Sequence, residues 1–259
     1  MVYNLVSCRS KNTQNRSSKD INDAIRREIE AYAYPLPSVF ETTNMLNEID
    51  AFYLAEITHD PNEASNYFTE KSKALNLGVY TADLAYATTY NRKQEMLDYF
   101  DSCETLVREL DFTGAFEHDL ADRIENSFDN KDQLVEIVTG IFQNAYAYLN
   151  QQGRTELSYL VLCGTIIEGL YLTTHISEST FQNQKIIAAI LFQKEPLLNL
   201  QKMMEANKES DLLKTTYLDI RKINEIYALE PGYTSMTEEQ VVQLTEILTR
   251  IRSGYVNRQ

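Results

Sequence analysis

The sequence predicts an all-α protein: a single helical bundle of roughly ten antiparallel helices with short loops and no sheet. Three observations predict it. Apolar residues recur at three- and four-residue spacing almost throughout, and no run alternates strictly. Glycine and proline number only 8 and 5 in 259 residues, too few to punctuate a series of hairpins. Helix-start signatures recur along the chain, with Ser38 before Glu41, Asp60 before Pro61 and Thr237 before Gln240.

In chain order, Ser18 caps a first helix that places Ile21, Ala24, Ile25, Ile29 and Tyr32 on one face. The run Tyr34-Pro35-Leu36-Pro37 breaks it, and Ser38 with Glu41 forms a capping box that opens the next. Asp60 as cap, Pro61 at the first position and Glu63 start a helix carrying Tyr67, Phe68 and Leu75. A helix is expected from Asn91 to Leu110, then a turn at Asp111 to Gly114. Further helices are expected over 115–128 and 131–149, and Gln151-Gln152-Gly153 separates these from an apolar run around Glu168. Later helices are expected over 180–192, 195–207 (with Pro196 kinking or interrupting it) and 211–229. After the turn Glu230-Pro231-Gly232, Thr237 and Gln240 cap a final amphipathic helix reaching Arg252. Helices on both sides of 151–154 are too apolar to stand alone. Residues 1–17 therefore read as a tether and 18–259 as one helical domain.

Composition narrows function by exclusion. A formal charge of -14, with cations in ones and twos, argues against a nucleic-acid partner and against adsorption to an anionic membrane. No phosphate-binding loop, dinucleotide fingerprint or nucleophile elbow occurs. Tryptophan is absent while tyrosines number 17, so many buried hydroxyls need partners. The longest apolar stretch, about 158–172, contains Glu168 and is shorter than the ~20 residues that span a bilayer.

Cys8, Cys103 and Cys163 have no metal-ligand spacing and give no disulfide framework. Cys103 and Cys163 fit as small buried hydrophobes. Cys8 differs: Leu5-Val6-Ser7-Cys8 reads as a bacterial lipobox, followed by a polar tether from Arg9 to Lys19. Cys8 is then the lipid-attachment residue. Met1 to Asn4 is too short for a charged and an apolar signal region, so a longer precursor is expected. If Met1 is instead the true start, the chain is cytoplasmic.

Two helices each set one acid into small apolar surroundings. Asp83 shares a face with Tyr86 and Tyr90, with Tyr80 a turn earlier and Gly78, Ala82, Ala85 and Ala87 thinning the helix. Glu168 lies along one face with Tyr171 or Leu172 and His175, between Gly164 and Gly169. A buried unpaired carboxylate costs several kcal/mol, so each is partnered, protonated or used. In the structural reading, tyrosine hydroxyls or an arginine such as Arg92 or Arg123 hold these acids as braces. In the functional reading, Asp83, Tyr86, Tyr90, Glu168 and Tyr171 line a ligand pocket, with Glu168 raised in pKa toward general-acid chemistry. The structural reading is preferred, because acid–base catalysis needs a second convergent group and a substrate cavity.

Metal chemistry is disfavoured. Glu56 and His59 have the spacing of one di-iron ligand pair, but the positions three before His118 and His175 are Ala115 and Leu172. No metal or cofactor is expected, and catalytic residues are not assigned. His118 between Glu117 and Asp119 reads as a surface histidine. Ile186 to Phe192 is apolar all round and reads as a core helix.

Taken together, 74–90 (ALNLGVYTADLAYATTY), Tyr34-Pro35-Leu36-Pro37-Ser38 and 164–172 (GTIIEGLYL) resemble a family of uncharacterised all-helical exported proteins and lipoproteins of Gram-negative bacteria. A bulky aromatic often precedes the Ile-Glu-Gly element in that family; Ile166 stands there in this chain. The resemblance implies export to the periplasm or outer membrane and supports the anchor at Cys8. It implies no activity. The expected function is a binding or interaction module of the cell envelope, with an unidentified protein or small-molecule partner and membrane contact only through the anchor. The alternative is an enzyme or small-ligand binder using Asp83, Glu168 and nearby tyrosines.

Overall fold

Helices begin where a side chain can meet the unpaired N–H groups of the first turn, and several such starts organise this chain. The computed structural model describes residues 35–48, 51–112, 119–177, 180–228 and 235–257, and these contain ten α-helices and no strand. They are α1 Pro35–Asn47, α2 Glu70–Thr89, α3 Lys93–Glu109, α4 Leu120–Asn126, α5 Lys131–Gln151, α6 Thr155–His175, α7 Gln184–Phe192, α8 Lys194–Met204, α9 Lys214–Ile226 and α10 Glu238–Val256. The all-α class read from the sequence is the class observed. The helix expected from Ser18, together with Cys8 and His118, lies outside the described residues.

Several boundaries differ for local reasons. α1 starts at Pro35, ahead of the expected Ser38, because a proline in the first turn gives up only an N–H that has no helical partner. The Asp60-Pro61 start is used, with Asn62 N–H donating to Asp60 Oδ1 at 2.9 Å, but it opens only a short 3₁₀ helix, Pro61–Asn66. α2 starts afresh at a reciprocal box: Ser72 N–H donates to Thr69 Oγ1 at 3.0 Å and Thr69 N–H to Ser72 Oγ at 3.2 Å. Tyr67 and Phe68 therefore lie between helices. Pro196 falls in the first turn of α8, which begins at Lys194, rather than in its interior. The Thr237–Gln240 box forms as expected and opens α10.

The centre is built from α2 and α6. Nearly every residue of both is buried, so neither shows the one-sided pattern of a surface helix. Burial on all sides requires that polar side chains satisfy themselves, and the threonines do so. The hydroxyls of Thr81, Thr88, Thr165 and Thr173 donate to the carbonyl four residues back at 2.6, 2.7, 3.0 and 2.7 Å. A Cβ at Gly78 would land on the Val161 carbonyl oxygen and 2.6 Å from Thr165 N; one at Gly164 would land on the Leu75 carbonyl oxygen. The backbones touch where both helices lack a side chain.

Residues 75 and 78 of α2 meet 161–165 of α6, and Asp83 meets Glu168, so the two central helices advance in the same direction. This departs from the expected antiparallel arrangement, which short loops imply for helices adjacent in sequence and not for a pair as far apart as α2 and α6. α3 does fold back along α2, with Lys73 paired to Glu109 at 3.1 Å and Thr81 beside Cys103. α1, α3, α5 and α10 flank the pair. One hydrophobic cluster runs from Val39 to Tyr255.

α6 also revises the apolar stretch read as too short to span a bilayer. At 21 residues and mean hydropathy 1.4 it is long and apolar enough to cross a membrane, yet 89% of that window is buried inside the protein. Glu168 sits within it, fully buried.

Gly78→Ala is expected to destabilise the fold by about 3 kcal/mol or more in urea unfolding, because the clash is with backbone that cannot rotate away. Gly254→Ala, with nothing within 4 Å of its added Cβ and a helical position in the last turn of α10, is expected to stabilise modestly, by up to about 0.5 kcal/mol.

Candidate functional site

Unlike a threonine, a carboxylate within a buried helix cannot be satisfied by its own backbone, because the carbonyls four residues back are acceptors too. Asp83 and Glu168 are both fully buried, and the parallel run of α2 and α6 brings them side by side. The cation that answers them comes from the far end of the chain. Arg252, in the last turn but one of α10, donates from Nε to Glu168 Oε2 at 2.6 Å and from Nη2 to Glu168 Oε1 at 2.8 Å. This paired geometry fits a planar guanidinium to a planar carboxylate. Nη2 also donates to the Ile57 carbonyl at 3.3 Å, and the guanidinium lies 4.2 Å from the centre of the Tyr171 ring.

Asp83 is met by backbone. His59 N–H donates to Asp83 Oδ2 at 3.1 Å, while Asp83 Oδ1 has no N–H or hydroxyl donor. Two carboxylates in contact do not both ionise in a buried site. Burial first, and then the Glu168 charge, push Asp83 well above the usual carboxylate range. Burial raises Glu168 as well, but Arg252 opposes that rise. Glu168 is thus the ionised partner of Arg252, and Asp83 is a neutral acid donating its proton to Glu168. Burial alone would lower Arg252, but the Glu168 charge overturns this and holds it above its ordinary value.

His59 closes the outer side. Its ring is 5.1 Å from that of Tyr80, and its Nε2 is 2.5 Å from the Tyr67 hydroxyl. Burial first, and then Arg252, lower its pKa to about 4, so the ring is neutral at pH 7. The Tyr80 hydroxyl donates to the Asp60 carbonyl at 2.8 Å. Residues 57–60 are therefore bound from beneath by Arg252, Asp83 and Tyr80 in turn.

Of the residues singled out from sequence, Asp83, Glu168 and Tyr171 come together. Tyr86 and Tyr90 do not join them. The Tyr86 hydroxyl accepts from Leu54 N–H at 3.0 Å, and its ring stacks on Tyr53 at 4.8 Å and meets Tyr90 edge-on at 5.0 Å. Tyrosine hydroxyls thus do not hold Asp83, since these point along the helix toward residues 53–54. The expected arginines are elsewhere: Arg92 pairs with Glu95 at 2.5 Å, and Arg123 is exposed on α4. Glu56 is exposed and the His59 ring turns to Tyr67, so the pair read as a half-site for iron does not converge. Among the described residues no group of three His, Cys, Asp or Glu could hold a metal. Cys103 and Cys163 are buried thiols, and burial pushes Cys103 up to about 12.

Sequence reasoning missed Arg252 and the backbone of residues 57–59. A signal for Arg252 was present. Val241, Leu244, Leu248, Ile251 and Tyr255 form the buried stripe of α10, and Arg252 directly adjoins it. A cation beside an apolar stripe is a candidate for a buried acid elsewhere. No protein family, curated protein or solved structure matches the chain.

Among the described residues, clefts of about 530, 440 and 250 Å³ open on the surface; neither Asp83 nor Glu168 lines them, while His59, whose N–H binds Asp83, lines the one of 440 Å³. The arrangement can hold a proton and bind three stretches of chain together, and its two carboxylates are closed from solvent.

Glu168→Gln is expected to cost about 3–5 kcal/mol, because it leaves the Arg252 charge buried without its partner. Asp83→Asn should behave oppositely, keeping a donor toward Glu168 and an acceptor for His59 N–H. Since the folded protein keeps the Asp83 proton and the unfolded chain releases it above 3.8, the stability due to this group is whole below that pH and is lost as pH rises. Denaturant titrations should show Asp83→Asn gaining on the parent by about 1.4 kcal/mol per pH unit above that point, until the folded protein also releases the proton. His59 works in the other direction: its contribution is whole above 6.5 and is lost as pH falls through about 4. His59→Gln should flatten that acid limb in the same titration.

Proposed function

We propose that this chain is a non-catalytic binding or interaction module of the bacterial cell envelope, exported and held at a membrane face by lipid on Cys8. The observation that carries the non-catalytic part is the closure of Asp83 and Glu168 by Arg252, His59 N–H and each other, with neither acid lining a described cleft. An enzyme built on these acids needs them to converge on an open cavity with a proton to give or take at a substrate atom. A brace needs them enclosed and paired. Export and anchoring are supported by the lipobox at Leu5-Val6-Ser7-Cys8, the polar tether after it, and the resemblance to exported all-helical proteins of Gram-negative bacteria.

The two parts are tested separately. Native protein treated with a water-soluble carbodiimide and an amine should label exposed acids such as Glu56, while Asp83 and Glu168 stay unmodified until the fold is opened by denaturant. Labelling of Asp83 or Glu168 at the rate of Glu56 would overturn the brace. For the anchor, a full-length precursor grown with a fatty-acid probe should incorporate label, and Cys8→Ser should abolish it; an unlabelled parent would sink the claim.

A further inference from the structure

The buried acids are covered by a short strap without regular helix, residues 55–60. On its inner side the strap meets Asp83 and Arg252. On its outer side it forms one wall of the cleft of about 440 Å³, opposite Glu95, Asp98 and Tyr99 of α3. Of its six residues only Ile57 is buried; Thr58 and His59 are half-buried, and Ala55, Glu56 and Asp60 are exposed. Apolar burial therefore does little to hold it down.

Polar ties hold it instead, each to a helix. The Ile57 carbonyl accepts from Arg252 of α10 at 3.3 Å, and His59 N–H donates to Asp83 of α2 at 3.1 Å. The Asp60 carbonyl accepts from Tyr80 of α2 at 2.8 Å, and the Tyr99 hydroxyl of α3 donates to Thr58 Oγ1 at 2.7 Å. The flanks are pinned separately. Leu54 N–H donates to the Tyr86 hydroxyl at 3.0 Å, and Ser102 of α3 donates to the Pro61 carbonyl at 3.1 Å. The helices beneath do not need the strap, since Arg252 keeps Glu168 and Asn76 keeps the Tyr255 carbonyl without it. A segment with one buried side chain between two fixed ends belongs to the low-stability end of a fold, and helices buried on all sides belong to the other.

We propose that residues 55–60 are a lid that opens between its pinned ends independently of the rest of the fold, and that Asp83 gives up its proton when it does. The lid goes beyond the binding-module reading and does not depend on it. The charged groups facing Asp83 are Glu168 from α6 and Arg252 from α10. Tyr53, and Tyr99 and Cys103 of α3, face it as neutral groups, as do Tyr80 and Tyr86 of its own helix, because burial holds each above its ordinary value. Water admitted by the open lid removes the burial that keeps the Asp83 proton in place.

The sign of the pH dependence follows from two groups. Asp83 keeps its proton under the closed lid and returns toward 3.8 when exposed, so rising pH favours opening until the closed protein also loses that proton. His59 acts oppositely. Neutral under the closed lid, its ring takes up a proton below 6.5 once exposed, so falling pH favours opening until about 4. Between 3.8 and 6.5 the two cancel; above 6.5 Asp83 acts alone.

Amide hydrogen exchange on the isotopically labelled chain tests this, with each rate divided by that of the unstructured peptide. At pH 6.5 the His59 amide should show an opening constant at least a hundredfold larger than those of Val79 in α2 and Ile167 in α6. Dilute urea should leave it nearly unchanged, because little surface is exposed. From pH 6.5 to 8.5 the constant should rise at least tenfold, and in Asp83→Asn it should stay flat. His59→Gln should extend the rise below pH 6.5. Thr58→Ala, which removes the tie to Tyr99 from the strap side, should raise the constant severalfold and leave Val79 and Ile167 unchanged. Exchange of His59 at the opening constant and urea dependence of Val79 overturns the independent lid. A flat constant above pH 6.5 in the parent, or an equal rise in Asp83→Asn, overturns the release of the proton. Neither failure touches the carbodiimide result, since a lid open a small fraction of the time keeps Asp83 labelling far below that of Glu56.

Discussion

The pairing of Arg252 with Glu168 is the constraint on which the rest of the centre depends. Glu168 stands in the middle of a helix buried on nearly every face, where an unpaired charge would be prohibitive. Among the described residues the cation that reaches it is Arg252 of α10, so the last helix must dock in a single register for the central helix to be tolerable at all. The same guanidinium binds the Ile57 carbonyl, and the proton shared by Asp83 and Glu168 lets Asp83 bind His59 N–H. Three stretches remote in sequence are thereby locked to one point. Hydrophobic burial supplies most of the driving force for such a fold, but it is indifferent to register, whereas a bidentate ion pair is not.

Around that point the central pair follows a consistent logic. Glycines at 78 and 164 bring two backbones into contact, which leaves no room for long polar side chains between them. Threonines are compatible because their hydroxyls return to their own helix. Asn76 does not fit that scheme and is instead used as a tie, donating from Nδ2 to both the Ser72 and the Tyr255 carbonyls at 2.8 Å. The threonines of the central pair thus close locally, while Asn76 fastens α10 to α2.

Much of this was legible in the sequence because it depends on neighbours in the chain. The capping box at Thr237 and Gln240 and the helix start at Lys131 need only a few residues in contact, so their patterns survive in any tertiary context. Where local signals compete, the sequence misleads. Asp60 and Pro61 start a helix as they should, but Tyr67 is buried against the His59 ring, and the reciprocal box of Thr69 with Ser72 restarts the helix beyond it. The site was half legible. A lone acid among glycines and alanines announces that a partner must exist, and the sequence therefore marked Asp83 and Glu168. It also placed Tyr86 and Tyr90 with them, since a shared helical face is all that spacing can express; the facing segment decides which turn of that face meets the acid.

The sequence by itself determined an all-α chain, the helices that would be buried on every side, and the two acids that would demand an answer, because periodicity, small residues and the cost of desolvation act over one or two turns. Only the tertiary structure decided that α2 and α6 run parallel and set those acids side by side. It alone chose Arg252 over the arginines nearer in sequence, and it alone left Asp83 neutral. Those outcomes depend on which distant surfaces come within a few ångströms, where an ion pair or a shared proton gains its strength, and no spacing along the chain encodes that distance.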